Sequence, residues 1–302
     1  MLDSIIIGGG PAGLTAGIYL MRAGLSCVLY EKQFCGGQAA TTNVIENYPG
    51  FVDGIGGPEL SMNMMEQATK LGLEVRYEEI TEVKLTDEEK YVIAGGNKVE
   101  ARTVILCMGA TPRPLGVKDE DRLRGRGVSY CATCDGAFYR GKNVCVVGGG
   151  NTAAEDALYL ARFAKKVTVV HRRDSFRAAK MLVDRMLNTA NIDICTDNVV
   201  ESITGAQKLE SIVLKNTKDG AVREIEMDGL FIAVGMEPQT ALVNEQVEME
   251  GGYVKTGEDT RTSVRGVYAA GDLRTKPLRQ VVCAASDGAV AATMAQMDID
   301  GI

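Results

Sequence analysis

Two stretches of the sequence share one pattern of apolar and polar positions and align without a gap. Residues 5–32 and residues 145–172 each contain a short apolar run, a glycine turn, a stretch with apolar positions at helical spacing, and a second β-branched run. Every position in the first stretch lies 140 residues before its counterpart in the second. Each stretch therefore predicts a strand, a turn, a helix and a second strand, which together make a βαβ unit.

A weaker repeat extends the two units. Residues 104–109 and residues 230–235 are apolar runs that end in glycine and are followed by a proline, as expected for a late buried strand. Residues 244–302 contain the strand-like GVYAAGD and the helical DGAVAATMAQM but are too short for a further domain. We therefore predict an α/β fold with two Rossmann-like dinucleotide-binding domains, each a parallel sheet with flanking helices. The first is discontinuous, made of residues 1–114 with 244–302, and the second is residues 115–243.

Composition and charge exclude several classes of protein. The length of 302 residues suits two domains. No apolar run reaches the roughly 18 residues of a membrane span, and the first residues lack the basic region of a secretory signal. A net charge of -7 without a long basic block argues against a nucleic-acid partner. Eight cysteines without a secretion signal predict a cytoplasmic protein whose thiols are mostly reduced, apart from one working pair.

Glycine-rich turns open both predicted helices. GGGPAG at residues 8–13 fits G-x-G-x-x-G, and GGGNTA at residues 148–153 fits G-x-G-x-x-A. The first glycine makes the tight turn, the second lets backbone N–H groups approach a pyrophosphate, and the small third residue lets the helix pack closely. Such a turn alone is common in ordinary loops, but its repetition between strand and helix favours dinucleotide binding.

The end of the second strand distinguishes the two predicted nucleotides. Glu31 ends it in the first unit, where a carboxylate can accept hydrogen bonds from the hydroxyls of an adenosine ribose. His171 takes that place in the second unit and is followed by Arg172, Arg173 and Arg177, which suit a 2′-phosphate. We therefore predict FAD in the first domain and NADPH in the second. The alternative is a solvated basic patch paired with a neighbouring aspartate.

A single C-x-x-C motif lies just before the second glycine turn. Cys131 and Cys134 can form a small disulfide ring, and a helix N-terminus there would lower a thiol pKa. A zinc site would need two more soft ligands, and an inert structural disulfide is disfavoured in the cytosol. Asp135 adjoins the pair and is either a turn residue or a proton donor and acceptor.

The remaining cysteines are predicted from their surroundings. Four lie in apolar runs and are expected to be packed thiols: Cys27, Cys107, Cys145 and Cys195. Cys35 and Cys283 lie near the inferred FAD segments, and their roles are left open.

With GGGPAG, CATCD, GGGNTAAEDALYL, HRRDSFRA and AAGD…RQ in this order, the chain resembles the low-molecular-weight bacterial thioredoxin reductases over essentially its whole length. The resemblance implies that electrons pass from NADPH to FAD, then to the C-x-x-C disulfide, then to the disulfide of thioredoxin. It implies that Cys134 faces the flavin, that Cys131 attacks thioredoxin and that Asp135 is the acid/base. It also implies a homodimer.

The resemblance carries over a set of cofactor-binding residues and no metal ligands. FAD would be held by Gly8, Gly10, Pro11, Ala12, Gly13, Glu31, Lys32, Gly36, Gly37, Gln38, Asn47, Gly271, Asp272, Arg279, Gln280 and Val281. NADPH would be held by Gly148, Gly150, Asn151, Thr152, Glu155, His171, Arg172, Arg173, Arg177 and Gly235.

Departures from the family pattern keep other functions open. Family members often carry two aromatic residues after the C-x-x-C-D-G turn. In this chain the two positions are Ala137 and Phe138, and the loss of one aromatic residue affects the expected thioredoxin-docking surface. One alternative is the flavoprotein of a peroxide-reducing system resembling alkyl hydroperoxide reductase, which usually carries a thioredoxin-like extension that we expect to be absent. A ferredoxin-linked thioredoxin reductase should have lost the arginine cluster. A redox sensor that binds nucleotides without turnover is the alternative from a different class.

The order of the parts along the chain predicts motion. The C-x-x-C pair belongs to the NADPH-binding domain, while the flavin belongs to the other domain. Because the dithiol must meet the flavin and then thioredoxin, and nicotinamide must also reach the flavin, one rigid arrangement is not expected to suffice. We predict a rigid-body rotation of residues 115–243 about two chain crossings, near 113–117 and 239–245. The alternative is that only a small loop around the cysteines moves.

Overall fold

The computed structural model describes residues 1–42 and 44–302. The strands are β1 Leu2–Ile7, β2 Cys27–Tyr30, β3 Glu74–Arg76, β4 Ile80–Leu85, β5 Lys90–Ala94, β6 Asn97–Leu106, β7 Ala110–Pro112, β8 Val128–Ser129, β9 Asn143–Val147, β10 Lys166–Val170, β11 Ile192–Cys195, β12 Asn198–Thr204, β13 Ser211–Asn216, β14 Val222–Glu226, β15 Gly229–Ile232, β16 Met236–Pro238, β17 Met249–Glu250, β18 Tyr253–Val254 and β19 Val267–Ala269. The helices are α1 Pro11–Arg22, α2 Gly57–Lys70, α3 Glu120–Leu123, α4 Ala132–Asp135, α5 Asn151–Leu160, α6 Lys180–Leu187 and α7 Val281–Asp300. Short 3-10 helices lie at Gly37–Thr41, Gly136–Tyr139 and Gly271–Leu273.

The chain divides into two compact units. The first unit consists of Met1–Thr111 with Glu237–Ile302, and the second unit is Pro112–Met236. Both crossings thus lie earlier in the chain than the limits expected from the sequence, after residues 114 and 243. The second crossing is earlier because Val243 is fully buried in the apolar core of the first unit.

The first unit is built on one mixed sheet. Its strand order is β3-β2-β1-β6-β5-β4, with β19 pairing with β6 as well. The pairs β1–β2, β1–β6, β2–β3 and β6–β19 are parallel, as the sequence predicted. The sequence did not predict the antiparallel β4–β5–β6 part. Strand β6 serves both parts because its first residues pair with β5 and those from Ala101 onward pair with β1.

Successive side chains of the buried strands point to opposite faces of this sheet and fill a separate apolar core on each face. Ile6, Leu29 and Ile105 pack in the core beneath α1 and α7, while Ile5 and Ile7 point to the opposite core. Helix α7 lies very close to α1: a Cβ on its Gly288 would lie 2.1 Å from the Ala12 carbonyl oxygen. The C-terminal segment therefore completes the first unit.

The second unit repeats the parallel arrangement. Its sheet has the order β11-β10-β9-β15-β8, and all of its pairs are parallel. Val144, Val146, Val167 and Val169 pack against α5 and α6 on one face. The other face packs against an antiparallel sheet, β12-β13-β14, which the sequence did not predict.

The two chain crossings run side by side. Strand β7 on the first crossing pairs with β16 on the second in a two-stranded ribbon. At one end the Gln239 backbone N–H donates to the Gly109 carbonyl (3.0 Å), and at the other the Arg113 N–H donates to the Gly235 carbonyl (3.0 Å). Among the described helices, none is long and apolar enough to cross a membrane.

Candidate functional site

The first glycine turn, between β1 and α1, is shaped by close backbone approaches. Gly8 has a φ of 106°, and a Cβ there would lie 2.4 Å from the Cys107 carbonyl oxygen. A Cβ on Gly13 would lie 1.9 Å from the Gly8 carbonyl oxygen, so α1 packs tightly on the turn. By contrast, a Cβ on Gly10 would meet nothing within 4 Å. The open position is the one where a pyrophosphate would approach the helix N-terminus.

The second glycine turn, between β9 and α5, repeats this geometry. A Cβ on Gly148 would lie 2.4 Å from the Ala233 carbonyl oxygen, and one on Gly150 would meet nothing within 4 Å. Ala153 takes the third position and is fully buried. Both turns therefore have the form that accepts a dinucleotide pyrophosphate.

Glu31 is held beside the first turn. Its Oε2 accepts a hydrogen bond from the Gly9 N–H (2.8 Å), and its Oε1 accepts one from the Gln33 N–H (3.0 Å). A carboxylate has about four lone-pair positions, so each oxygen retains capacity for a ribose hydroxyl. The backbone thus orients the carboxylate for the role that the sequence predicts.

His171 occupies the matching place beside the second turn. A Cβ on Gly149 would lie 2.1 Å from the His171 ring, so the ring packs directly on the turn. The ring also stacks on Phe176, with centroids 5.2 Å apart, and its Nε2 lies 3.1 Å from the Ser175 carbonyl oxygen. Burial lowers the pKa of His171, and the neighbouring arginines lower it further. The imidazole therefore packs as a neutral group against the turn and against its own loop. Its contact with NADPH stays a prediction.

The three arginines of this loop are exposed, and the loop is tied to the turn. The Arg177 N–H donates to the Gly149 carbonyl (2.7 Å), and the Ala179 N–H donates to Asn151 Oδ1 (2.8 Å). In the part of the chain that the structure describes, none of the ion pairs involves Arg172, Arg173 or Arg177. Their positive charge is thus available to an anionic ligand.

The C-terminal segment adds unsatisfied polar atoms to the first unit. Asp272 Oδ1 and Arg279 Nε are buried and have no hydrogen-bond partner among the described residues. Burial raises the pKa of Asp272. A Cβ on the preceding Gly271 would lie 3.1 Å from Ala12 Cβ, which puts this segment beside the start of α1. A ligand with hydroxyl donors and anionic acceptors, as FAD has, would satisfy both atoms.

Gly36 and Gly37, two further predicted FAD residues, lie against the first turn, and Asn47 and Gln280 contact each other. The Gly36 N–H donates to the Gly9 carbonyl (2.7 Å), and a Cβ on Gly37 would lie 3.5 Å from Gly10 Cα. Asn47 Nδ2 donates to Gln280 Oε1 (2.9 Å).

The remaining predicted cofactor residues lie at the ends of elements. In the first unit Pro11 and Ala12 open α1, exposed Lys32 follows Glu31, Gln38 lies in the first 3-10 helix and Val281 opens α7. In the second unit Thr152 and Glu155 are exposed on α5, and Gly235 follows β15 with a φ of 120°.

Cys131 and Cys134 form a disulfide, with Cα atoms 5.3 Å apart. Cys131 precedes the one-turn helix α4, and its carbonyl accepts hydrogen bonds from the N–H groups of Cys134 (3.3 Å) and Asp135 (3.1 Å). This turn brings the two sulfur atoms together, and Asp135 follows Cys134 directly as the last residue of α4.

The carboxyl group of Asp135 is held by a residue that the sequence analysis missed. Ser129 Oγ donates to Asp135 Oδ2 (2.6 Å) and accepts a hydrogen bond from the Cys131 N–H (3.1 Å). Burial raises the pKa of Asp135, whereas the hydrogen bond from Ser129 and the charge of Arg124 oppose that rise. A carboxyl group with a raised pKa beside a dithiol can exchange protons with it.

The other cysteines are free thiols. Cys27, Cys107 and Cys145 are buried as predicted, and burial raises the pKa of each. Cys195 packs against the core of the second unit but is only half-buried, because it lies on the edge strand β11, where an Arg223 guanidinium nitrogen is 3.0 Å from its Sγ. An apolar run at a sheet edge buries only one side of its strand.

Cys35 and Cys283 are both half-buried in the first unit. Burial raises the pKa of Cys35, whose sulfur lies where a Cβ of Gly9 would approach to 2.8 Å. In the described part of the chain, no group of three or more His, Cys, Asp or Glu side chains is arranged to hold a metal ion.

Asp287 is a second residue that the sequence did not indicate. Its carboxylate accepts hydrogen bonds from the Gly271 N–H (3.0 Å) and Lys276 Nζ (2.6 Å), and Arg274 lies 3.4 Å away. It thereby fixes the segment that carries Asp272. Only its position near the start of the predicted helix could have suggested this role.

Comparison with known proteins gives consistent matches. The model of the family described as pyridine nucleotide-disulphide oxidoreductase matches residues 2–288. The thioredoxin reductase of Listeria innocua is 46% identical over 300 residues, which cover 99% of this chain and 94% of that protein.

Solved structures match as well. A crystal structure of thioredoxin reductase from Streptococcus pyogenes has a TM-score of 0.94 at 43% identity, covering 100% of this chain and 99% of that chain. A crystal structure of Lactococcus lactis thioredoxin reductase in its FR conformation covers 100% of both chains at 40% identity, with a TM-score of 0.69.

Proposed function

Because the chain belongs to the pyridine nucleotide-disulphide oxidoreductase family, and within it to the thioredoxin reductases, we propose that it reduces the disulfide of thioredoxin with electrons from NADPH, by way of FAD. Members of this family use a nicotinamide nucleotide and a flavin. The observation that carries the proposal is the Cys131–Cys134 disulfide, followed directly by the half-buried carboxyl group of Asp135, in a chain with two glycine turns of dinucleotide-binding form.

The reduced cysteine pair performs thiol–disulfide exchange. Asp135 accepts the proton of Cys131, and the resulting thiolate attacks one sulfur of the thioredoxin disulfide, forming a mixed disulfide. The released thioredoxin thiolate takes a proton from Asp135. The Cys134 thiol then loses its proton and attacks Cys131 Sγ, which restores the ring and releases the second thioredoxin sulfur as a thiolate that takes up that proton. Two electrons move from the dithiol to the thioredoxin disulfide. The residues of the first unit would hold the FAD that supplies the two electrons for reducing the pair again.

The first unit would hold FAD. The pyrophosphate would lie over Gly10 at the start of α1, and Glu31 would accept hydrogen bonds from the ribose. Asp272 and Arg279 would gain partners for their buried, unpaired atoms. These residues bind and orient the cofactor, and they exclude water from its polar groups.

The second unit would hold NADPH rather than NADH. Arg172, Arg173 and Arg177 are exposed, without an ion-pair partner in the described residues, and can form charge-assisted hydrogen bonds to a 2′-phosphate. A carboxylate at the position of His171 would repel that phosphate. The preference for NADPH over NADH would come from this loop alone, because the glycine turn itself is like that of the first unit.

Turnover would include a rotation of the second unit. The cysteine pair and the second turn share that unit, whereas the residues for FAD belong to the first, and only two chain crossings join them. The Lactococcus lactis thioredoxin reductase structure is described as being in an FR conformation, which supports more than one arrangement of the two units in this family. An engineered disulfide between the units, away from the cysteine pair, should stop thioredoxin turnover; unchanged turnover in the locked enzyme would overturn the rotation.

The direct test of the proposed function is NADPH-dependent reduction of DTNB, with and without thioredoxin from the same source. We expect fast reduction that depends on thioredoxin. Reduced ferredoxin in place of NADPH, and a peroxide-reducing partner in place of thioredoxin, test the alternatives. Activity only with one of these substitutes would contradict the proposal. A homodimer stays a prediction, to be checked by light scattering.

A further inference from the structure

Ser129 lies at a fixed point next to the redox pair. It ends β8, is 4% exposed, and is paired in register with Phe231 of the central strand β15. Only one residue separates it from Cys131 in the chain. A side chain here is anchored by the sheet of the second unit, while the cysteine pair lies on the turn that follows.

The hydroxyl of Ser129 links three groups of that turn. A serine hydroxyl has one proton to donate and can accept two hydrogen bonds. It accepts from the Cys131 N–H (3.1 Å), and its proton has two acceptors: Asp135 Oδ2 at 2.6 Å and the Cys131 carbonyl oxygen at 3.3 Å. The shorter distance and the charge of an ionised carboxylate favour Asp135 as the acceptor.

We propose that Ser129 is a positioning residue of the reaction: its hydroxyl holds the Asp135 carboxylate ionised and aimed at the cysteine pair, and turns to the Cys131 carbonyl when Asp135 takes up a proton. The inference rests on the proposed function. The proton that Asp135 receives is the one leaving the Cys131 thiol, and it goes on to the thiolate released from thioredoxin. Ser129 itself neither gains nor loses a proton.

Other charged and titratable groups near Asp135 also affect its pKa or the pH profile of the enzyme. The charge of Arg124 opposes the rise that burial causes in the pKa of Asp135. Burial raises the pKa of Tyr139, and the charges of Asp135 and Asp228 raise it further. Helix α5, which packs against α4, carries Asp156, whose pKa burial raises to about 7. A pH profile of the enzyme can therefore reflect Asp156 as well as Asp135, and the two must be separated.

The sign of the expected effect follows from which form Ser129 binds. Its hydrogen bond to the ionised carboxylate opposes the rise in pKa that burial causes. Without the hydroxyl the pKa of Asp135 rises further, so the base form exists only at higher pH. The acidic limb of the activity profile should move to higher pH by roughly one unit.

The test is the pH profile of kcat for NADPH-dependent thioredoxin reduction, measured on the flavin-loaded chain and on variants. Ser129→Ala should shift the acidic limb upward, and Ser129→Thr, which keeps the hydroxyl, should largely restore it. In an Asp135→Asn background, Ser129→Ala should have no further effect on the profile. Flavin reduction by NADPH should be the same in the native chain and in Ser129→Ala.

Two control variants keep the readout specific. Ser211→Ala removes another buried serine that donates to a carboxylate in the second unit, that of Glu224, and should leave the profile unchanged. Asp156→Asn removes the other half-buried acid, and Ser129→Ala should cause the same shift of the profile when it is combined with Asp156→Asn. An unshifted profile in Ser129→Ala would overturn the role of Ser129. So would a shift of the same size when Ser129→Ala is added to Asp135→Asn. Absence of thioredoxin reduction by the native chain would instead refute the proposed function.

Discussion

The two glycine turns of this molecule have nearly the same backbone and very different surroundings. In both, a Cβ on the first glycine would lie 2.4 Å from the carbonyl oxygen of the residue just after a later strand, Cys107 or Ala233. The third glycine of each GGG run faces open space. They differ at the next strand end, where Glu31 accepts a hydrogen bond from the Gly9 N–H and His171 packs its ring on Gly149. In the proposed function, the shared backbone would bind the pyrophosphate of each nucleotide, and the difference at the strand end would set the choice of nucleotide.

A second difference lies in what each unit adds. The first unit includes the C-terminal segment, which carries Asp272 and Arg279, each with a buried polar atom that has no hydrogen-bond partner among the described residues. The second unit instead carries the disulfide and Asp135 on the chain leading into its turn. The two units thus share a strand–turn–helix arrangement, and in the proposed function the first would hold the flavin while the second would bind NADPH and carry the cysteine pair.

The largest expected effect concerns the disulfide, which only the second unit has. Cys134→Ser and Cys131→Ser should each abolish thioredoxin reduction, because a single thiol cannot complete the exchange. Flavin reduction by NADPH should survive in Cys134→Ser, since neither nucleotide turn is touched. Both activities are followed in a stopped-flow spectrometer. Full thioredoxin-reducing activity in both variants would make the pair structural.

The next effect concerns the strand end of the second unit. Replacing Arg172 and Arg173 with Ala should raise KM for NADPH by roughly ten- to a hundredfold for each charge-assisted hydrogen bond that the substitution removes. KM for NADH should hardly change. Lys165→Ala is a matched control, because Lys165 is exposed at the opposite end of β10. Equal losses for both nucleotides would contradict the assignment of the phosphate to this loop.

The smallest effect concerns Gly13 and Ala153, the last small residues of the G-x-G-x-x-G and G-x-G-x-x-A motifs. Gly13→Ala adds a Cβ at 1.9 Å from the Gly8 carbonyl oxygen and should cost about 1–3 kcal/mol of unfolding free energy, with loss of bound flavin. Ala153→Gly, the reciprocal change, should cost about 1 kcal/mol through helix propensity alone. Urea unfolding and flavin content measure both. Native stability and full flavin content in Gly13→Ala would show that α1 does not need to pack so closely on the first turn.

Sequence patterns predicted the features that depend on local periodicity. The alignment of the two βαβ units anticipated β1-α1-β2 and β9-α5-β10, because buried parallel strands and the glycine turns between them leave a clear local pattern. It missed the antiparallel strands β12–β14, whose mixed exposure gives no continuous apolar run. Ser129 and Asp287 were missed because each acts through a hydrogen bond that only the folded chain creates.

Anaerobic titration with NADPH tests the central claim most directly, that one unit holds a flavin and the other carries a disulfide that the flavin reduces. The flavin and the disulfide each take two electrons, so the native chain should consume about two equivalents of NADPH per chain and expose two new thiols. Cys134→Ser should consume about one equivalent under the same conditions. Subsequent addition of oxidised thioredoxin should return the native enzyme to its oxidised spectrum. Bleaching of the flavin without any new thiols, in a chain that still binds both nucleotides, would contradict the account.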